Sequence, residues 1–213
     1  MKNIQEPDIE FVNEKINHLE KTPEENLEYF RSEQFDKEGL TETEIMQILT
    51  DCINISNDVN SFSNIAVFCI EKLSNYTLAR EMFQKAESLI CEFYEYPDLA
   101  YSILKHLKDL EWGLKLLEKA KAIADEYPKA IRYIVIADEY CRFTDDKVKC
   151  KELYQLAEKY ATTTREYNRL ISSVLDIMND KEYYMELVDK ANMLEGNPSR
   201  MFDFTALLKL IDS

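Results

Sequence analysis

Leu78-Ala79-Arg80-Glu81-Met82-Phe83-Gln84-Lys85-Ala86 aligns without gaps with Trp112-Gly113-Leu114-Lys115-Leu116-Leu117-Glu118-Lys119-Ala120. It aligns equally with Lys149-Cys150-Lys151-Glu152-Leu153-Tyr154-Gln155-Leu156-Ala157 and Tyr183-Tyr184-Met185-Glu186-Leu187-Val188-Asp189-Lys190-Ala191. Small and apolar residues return in each segment about every three or four positions, as on one face of an α-helix. The closing alanines are spaced 34 (86 to 120), 37 (120 to 157) and 34 (157 to 191). Such a period marks a repeat whose units cannot bury their apolar stripes alone and must stack on their neighbours.

Working outward, Ala66, Ala100, Ile134 and Ile171 repeat at 34, 34 and 37, so each unit is read as an antiparallel pair of helices. This register puts three inserted residues between 134 and 157, most simply in Arg142-Phe143-Thr144-Asp145-Asp146-Lys147. Ile45, Leu49 and Cys52, the last lying 34 before Ala86, form a divergent earlier copy. All five Pro can stand at helix starts, where the missing N–H costs nothing: Pro7, Pro23 after the N-cap Thr22, Pro97, Pro128, and Pro198 after Asn197. Thr41 with Glu44 reads as a capping box and Gly196 as a left-handed cap. Gly113 falls inside a helix at the small position shared with Ala79 and Cys150, which predicts close helix contact.

The 213 residues are 46 % hydrophobic and 31 % charged, enough for a sizeable core, and only 3 Gly and 5 Pro leave too little turn chemistry for a sandwich or barrel. The chain is therefore read as all-α. Its net charge of −15 repels phosphate backbones and anionic membranes, so nucleic acid is not expected as a partner. No apolar run is long enough to cross a membrane and the first residues have no apolar signal core, so no membrane insertion is expected. Five Cys, an odd count with no C-x-x-C, point to neither a disulfide framework nor a zinc site, and to a reducing cytoplasm. Residues 1–60 hold 15 acids and 5 bases, a docking surface for a basic partner or a solvated face.

Ala79-x3-Phe83-x2-Ala86 resembles the second-helix signature of tetratricopeptide repeats. The period, the paired helices and the tandem array of residues 44–213 are similar to that family too. The resemblance implies a right-handed superhelix, an α-solenoid whose first helices line a concave groove that binds a protein or peptide. In that register the groove carries Asn64, Phe68, Ser102, Lys105, Lys129, Arg132, Ile136, Arg169 and Ser173, alongside Ser61, Glu71, Asp98, Glu139, Glu166 and Asp176. The family's Leu-Gly pair in the first helix is replaced here by Ala66-Val67, Ala100-Tyr101 and Ile171-Ser172, which leaves a Sel1-like or HEAT-like solenoid as a related form. Residues 1–43 do not repeat and form an acidic helical cap; Leu27, Tyr29 and Phe30 mark one of its helices. Met201, Phe202, Phe204, Leu207, Leu208 and Ile211 mark a C-terminal capping helix apolar enough to admit a homodimer through it.

Catalytic chemistry is not evident. His18 and His106 are read as surface or boundary residues with no nucleophile relay beside them. Asp138, Glu139, Asp145 and Asp146 lack the spacing and the Gly of a calcium loop and are read as a solvated loop. No metal or cofactor is expected, and the chain is not read as an enzyme. The expected function is non-catalytic recognition of a protein partner in the groove. The alternative is an immunity or antitoxin-like protein that neutralises a basic toxin through its acidic N-terminal surface.

Overall fold

The computed structural model describes residues 18–31 and 39–195, and every regular element among them is helical. The readings of the first helix with Pro7, and of Gly196, Pro198 and the apolar Met201–Ile211 stretch with its homodimer, lie outside the described residues.

A 3-10 turn (His18–Glu20) leads into α1 (Pro23–Arg31) and α2 (Glu42–Ile55). Four pairs follow: α3 (Val59–Glu71) with α4 (Tyr76–Leu89), α5 (Glu95–Ser102) with α6 (Leu110–Glu126), α7 (Ala130–Phe143) with α8 (Lys147–Tyr160), and α9 (Thr164–Ser173) with α10 (Lys181–Glu195). Short polar side chains start most of these helices by accepting orphan backbone N–H groups, each cap worth about 1 kcal/mol, while α5 and α7 have no side-chain cap. Thr41 with Glu44 and Thr163 with Glu166 form full capping boxes, and Thr22 exchanges the same pair of bonds with Glu25. Pro23 is the first residue of α1, Pro97 lies in the first turn of α5, and Pro128 stands just before α7.

Asn75, Asp109, Asp146 and Asp180 begin the second helices. Between them α6 has 17 residues, against 14 in each of α4 and α8. The three additional residues thus lengthen α6 ahead of Pro128 and do not sit in the Arg142–Lys147 turn, which moves α7 by three positions relative to the register expected from Ile134.

One core cluster runs from Leu27 and Phe30 to Ala191. Each pair packs on itself, and the first helices also touch in succession, α1 on α3, α3 on α5, α5 on α7 and α7 on α9. Ala86, Ala120 and Ala157 are fully buried where helices meet. At Gly113 a Cβ would lie 2.3 Å from Leu104 Cγ, so only glycine lets α6 approach the end of the α5 segment this closely.

The second helices are joined by polar latches. Arg80 Nη2 meets the α6 cap Asp109 at 2.6 Å, while Glu87 accepts from Lys119 Nζ at 2.6 Å and from the Trp112 indole at 2.7 Å. The same set joins α8 to α10: Lys151 meets the cap Asp180 at 3.0 Å, and Glu158 accepts from Lys190 and, at 3.0 Å, from the Tyr183 hydroxyl. Every residue of the second set stands 71 positions after its counterpart, as 109 to 180 and 119 to 190. The π-helical turns that extend α5 and α9, Ile103–Leu107 and Val174–Met178, keep this offset, as do their left-handed ends Lys108 and Asn179. A two-pair unit, α3 to α6, is thus built a second time as α7 to α10.

Two expectations are corrected. Cys141 and Cys150 form a disulfide, because the antiparallel α7 and α8 bring their Cα atoms to 5.5 Å beside the turn that joins them. No spacing motif marks such a pair, and these two residues no longer argue for a reducing compartment. His18 is buried, not at the surface: its Nδ1 donates to Asn26 Oδ1 at 2.9 Å while Asn26 Nδ2 donates back to the His18 carbonyl at 3.0 Å. Among the described residues no helix is long and apolar enough to cross a membrane.

Candidate functional site

Because the first helices touch in succession, their polar side chains meet across them. From α3 to α5, Glu71 Oε1 lies 2.9 Å from His106 Nδ1. From α5 to α7, the Tyr101 ring meets Phe143 edge-on, with centroids 5.8 Å apart, and Lys105 Nζ sits 5.3 Å over Tyr101. From α9 to α7, Arg169 Nη2 and Ser173 Oγ each donate to Asp138 Oδ2 at 3.1 Å, and α8 adds the Tyr154 hydroxyl on Oδ1 at 2.9 Å.

Asp138 is only 2 % exposed. A carboxylate in that position is retained only when its lone pairs are filled, and three donors from two helices do so. Burial still pushes its carboxyl above the ordinary range, against the pull of Ser173, Tyr154 and Arg169. Glu139 beside it is less well served. Its side chain is 15 % exposed, Arg142 stands 3.9 Å from Oε1, and Oε2 is buried with no hydrogen-bond partner. Burial pushes this carboxyl up to about 7, and the charges of Asp138 and Asp98 add to the rise while Arg142 opposes it. Asp98 is raised as well, by burial and by Glu95. The face therefore offers, at neutral pH, a carboxyl that readily takes a proton or a donor, next to the guanidinium of Arg142.

The residues expected in the groove are divided by the structure. Arg169 and Ser173 converge on Asp138. Lys105 is exposed and Ser102 turns its hydroxyl to the Asp98 carbonyl at 3.2 Å. Asn64 is half-buried on α3, whereas Phe68 is buried and stacked on Phe30 of α1, centroids 4.3 Å apart. Ile136 is buried in the core. Lys129 and Arg132 are at the start of α7. Lys129 is its exposed N-cap residue, and Arg132 donates to the Tyr127 carbonyl at 2.8 Å and lies 5.0 Å over the Phe93 ring. Among the described residues neither shares a hydrogen bond or an ion pair with Arg169, whose partner is Asp138. With α7 moved by three positions, the places assigned to Lys129, Arg132, Ile136 and Glu139 pass to Arg132, Val135, Glu139 and Arg142, all half-buried or exposed.

Asp138 and Glu139 were both grouped with a solvated loop that the structure confines to Asp145 and Asp146, although the groove register also held Glu139, and Tyr154 was given no part in the site. The available signal was position: two acids directly after Ile134-Val135-Ile136-Ala137, inside an apolar helix. Among the described residues no three His, Cys, Asp or Glu side chains gather in a way that would hold a metal ion. No family model, curated protein or solved structure matches the chain.

Proposed function

We propose that the chain is a tetratricopeptide-like helical repeat array, an α-solenoid, that recognises a protein or peptide segment without catalysing a reaction. The segment lies along the face made by α3, α5, α7 and α9. What carries the reading is the continuity of that face: the contacts of Glu71 with His106, Tyr101 with Phe143 and Arg169 with Asp138 link each first helix to the next. The Glu139 side chain, 15 % exposed beside Arg142, presents the accessible part of its carboxyl to a main-chain N–H or an ammonium group of an extended segment. Lys105 and Arg142, both exposed, suit a carboxylate of the same segment.

A second reading keeps a neutralising protein that covers a basic toxin-like partner. It draws on Glu24, Glu25 and Glu28, exposed on α1 while Leu27 and Phe30 bury the opposite side. One comparison separates the two. Partners captured from the source cells by the wild-type chain are compared with those held by Lys105→Ala/Arg142→Ala and by Glu24→Gln/Glu25→Gln/Glu28→Gln. A partner lost only by the first variant supports the groove, and one lost only by the second transfers the function to α1. Retention by both removes the two readings together.

A further inference from the structure

The latches that join second helices are present at two joints and missing at the one between. Three residues after the caps Asp109, Asp146 and Asp180 stand Trp112, Lys149 and Tyr183. In the first joint Trp112 packs edge-on against Phe83, with centroids 6.3 Å apart, under the Arg80 guanidinium 5.4 Å above its ring. In the third, Tyr183 lies under Lys151 Nζ at 5.2 Å. The middle joint keeps the cap Asp146 and replaces the other parts. Counted from Ala120 as Arg80, Phe83 and Glu87 are counted from Ala86, the corresponding residues are Leu114, Leu117 and Lys121, and the aromatic is Lys149.

What remains there is a cavity of about 140 Å³ between α6, α7 and α8, walled by Leu114, Leu117, Ile136, Tyr140 and Leu153. A Leu-, Ile- and Phe-lined cavity of about 150 Å³ takes up one benzene, so the space is that of a single aromatic ring. Its rim holds Lys121, Lys149 and one acid, Glu118. Both lysines form ion pairs within their own helices, with Asp125 and Glu152. Such surface pairs are worth little and exchange readily.

We propose that this cavity is a docking slot for one aromatic side chain of a partner segment, a Trp or Tyr flanked by carboxylates. The ring occupies the place that Trp112 and Tyr183 fill in the other two joints. Lys121 and Lys149, on exchanging Asp125 and Glu152 for the flanking carboxylates, set a cation against the ring as Arg80 and Lys151 do. The slot lies between second helices, apart from the face of α3, α5, α7 and α9, and does not depend on the function proposed for it.

The test uses the full chain with labelled Leu and Ile methyl groups, titrated with acetyl-Asp-Trp-Asp-amide and with acetyl-Asp-Ala-Asp-amide. The Trp peptide shifts the methyls of Leu114, Leu117, Ile136 and Leu153 and leaves those of Leu99 and Leu187 in place, and the Ala peptide binds about tenfold more weakly or worse. Lys149→Trp fills the slot from within and weakens the Trp peptide by about tenfold or more, while Lys149→Glu weakens it by reversing the rim. No shift of the four methyls, equal shifts by the two peptides, or undiminished binding by a folded Lys149→Trp protein overturns the proposal. Should Lys149→Trp not fold, the Trp-against-Ala comparison on the wild-type chain decides alone.

Discussion

The Trp112 indole N–H donates to Glu87 Oε2 at 2.7 Å, tying α6 to α4 across a joint that the backbone ladders leave to side chains. Burial pushes the Glu87 carboxyl up, but the bonds from Lys119 and Trp112 and the charges of Lys119 and Lys115 outweigh it and hold the group below the ordinary carboxylate range. Glu87→Gln keeps an acceptor for Trp112 and gives up only a half-exposed ion pair, so it should cost a few tenths of a kcal/mol, roughly the worth of a surface pair. Glu87→Ala strands a half-buried indole N–H and should cost about 1–2 kcal/mol. Urea midpoints for the two variants check this; equal losses would show that the Trp112 bond adds nothing. As the folded pKa is depressed, the contribution of Glu87 is present above the unfolded carboxylate value and fades as pH falls through the folded one.

Glu139 acts in the opposite sense. Burial pushes its carboxyl up to about 7 in the folded chain, above the ordinary carboxylate value of 4.5, so the folded state binds the extra proton between them. Stability from this group is full below pH 4.5, declines as pH rises, and levels above 7. The decline is on the order of 1–3 kcal/mol. Glu139→Gln should abolish that slope in denaturation midpoints measured across the window. A slope unchanged in the variant would assign it to Asp138 or Asp98, which face the same carboxyl and are also raised.

At Gly113, a methyl group gains helix propensity of about 1 kcal/mol and overpacks against buried Leu104, at a cost of about 1–3 kcal/mol. Gly113→Ala is therefore expected to lower the thermal midpoint in net. Combining it with Leu104→Ala should cost less than the two separate losses added together, because the second change makes room for the first. Strict additivity would mean that the α5–α6 contact relaxes elsewhere.

The Cys141–Cys150 bond closes a loop with a sequence separation of 9, worth about 2–3 kcal/mol through the unfolded chain. Cys141→Ser/Cys150→Ser and treatment with a reductant should lower the midpoint by similar amounts. Thiol titration of the unreduced, unfolded chain should find Cys52, Cys69 and Cys91 alone. Reaction of all five cysteines would remove both expectations.

Helix pairs, their caps and the buried alanines were legible in the residues themselves, since a 3.6-residue period and an N-cap side chain act within one or two turns. Thr41 with Glu44, Pro23 after Thr22, and the tight position of Gly113 are all local in this sense. The pairing of Cys141 with Cys150 and the burial of Asp138 were not, because each depends on which neighbour a helix meets. The placement of the three additional residues belongs to the same class. Three residues turn an α-helix by about 300°, close to one full rotation, so the apolar stripe of α7 reads almost as well from Ile134 as from Ala137. Periodicity alone cannot separate two registers that differ by so small a rotation. The packing of α7 between α5 and α9 separates them, because it buries Ile136 and Asp138 and leaves Val135, Glu139 and Arg142 at the open face.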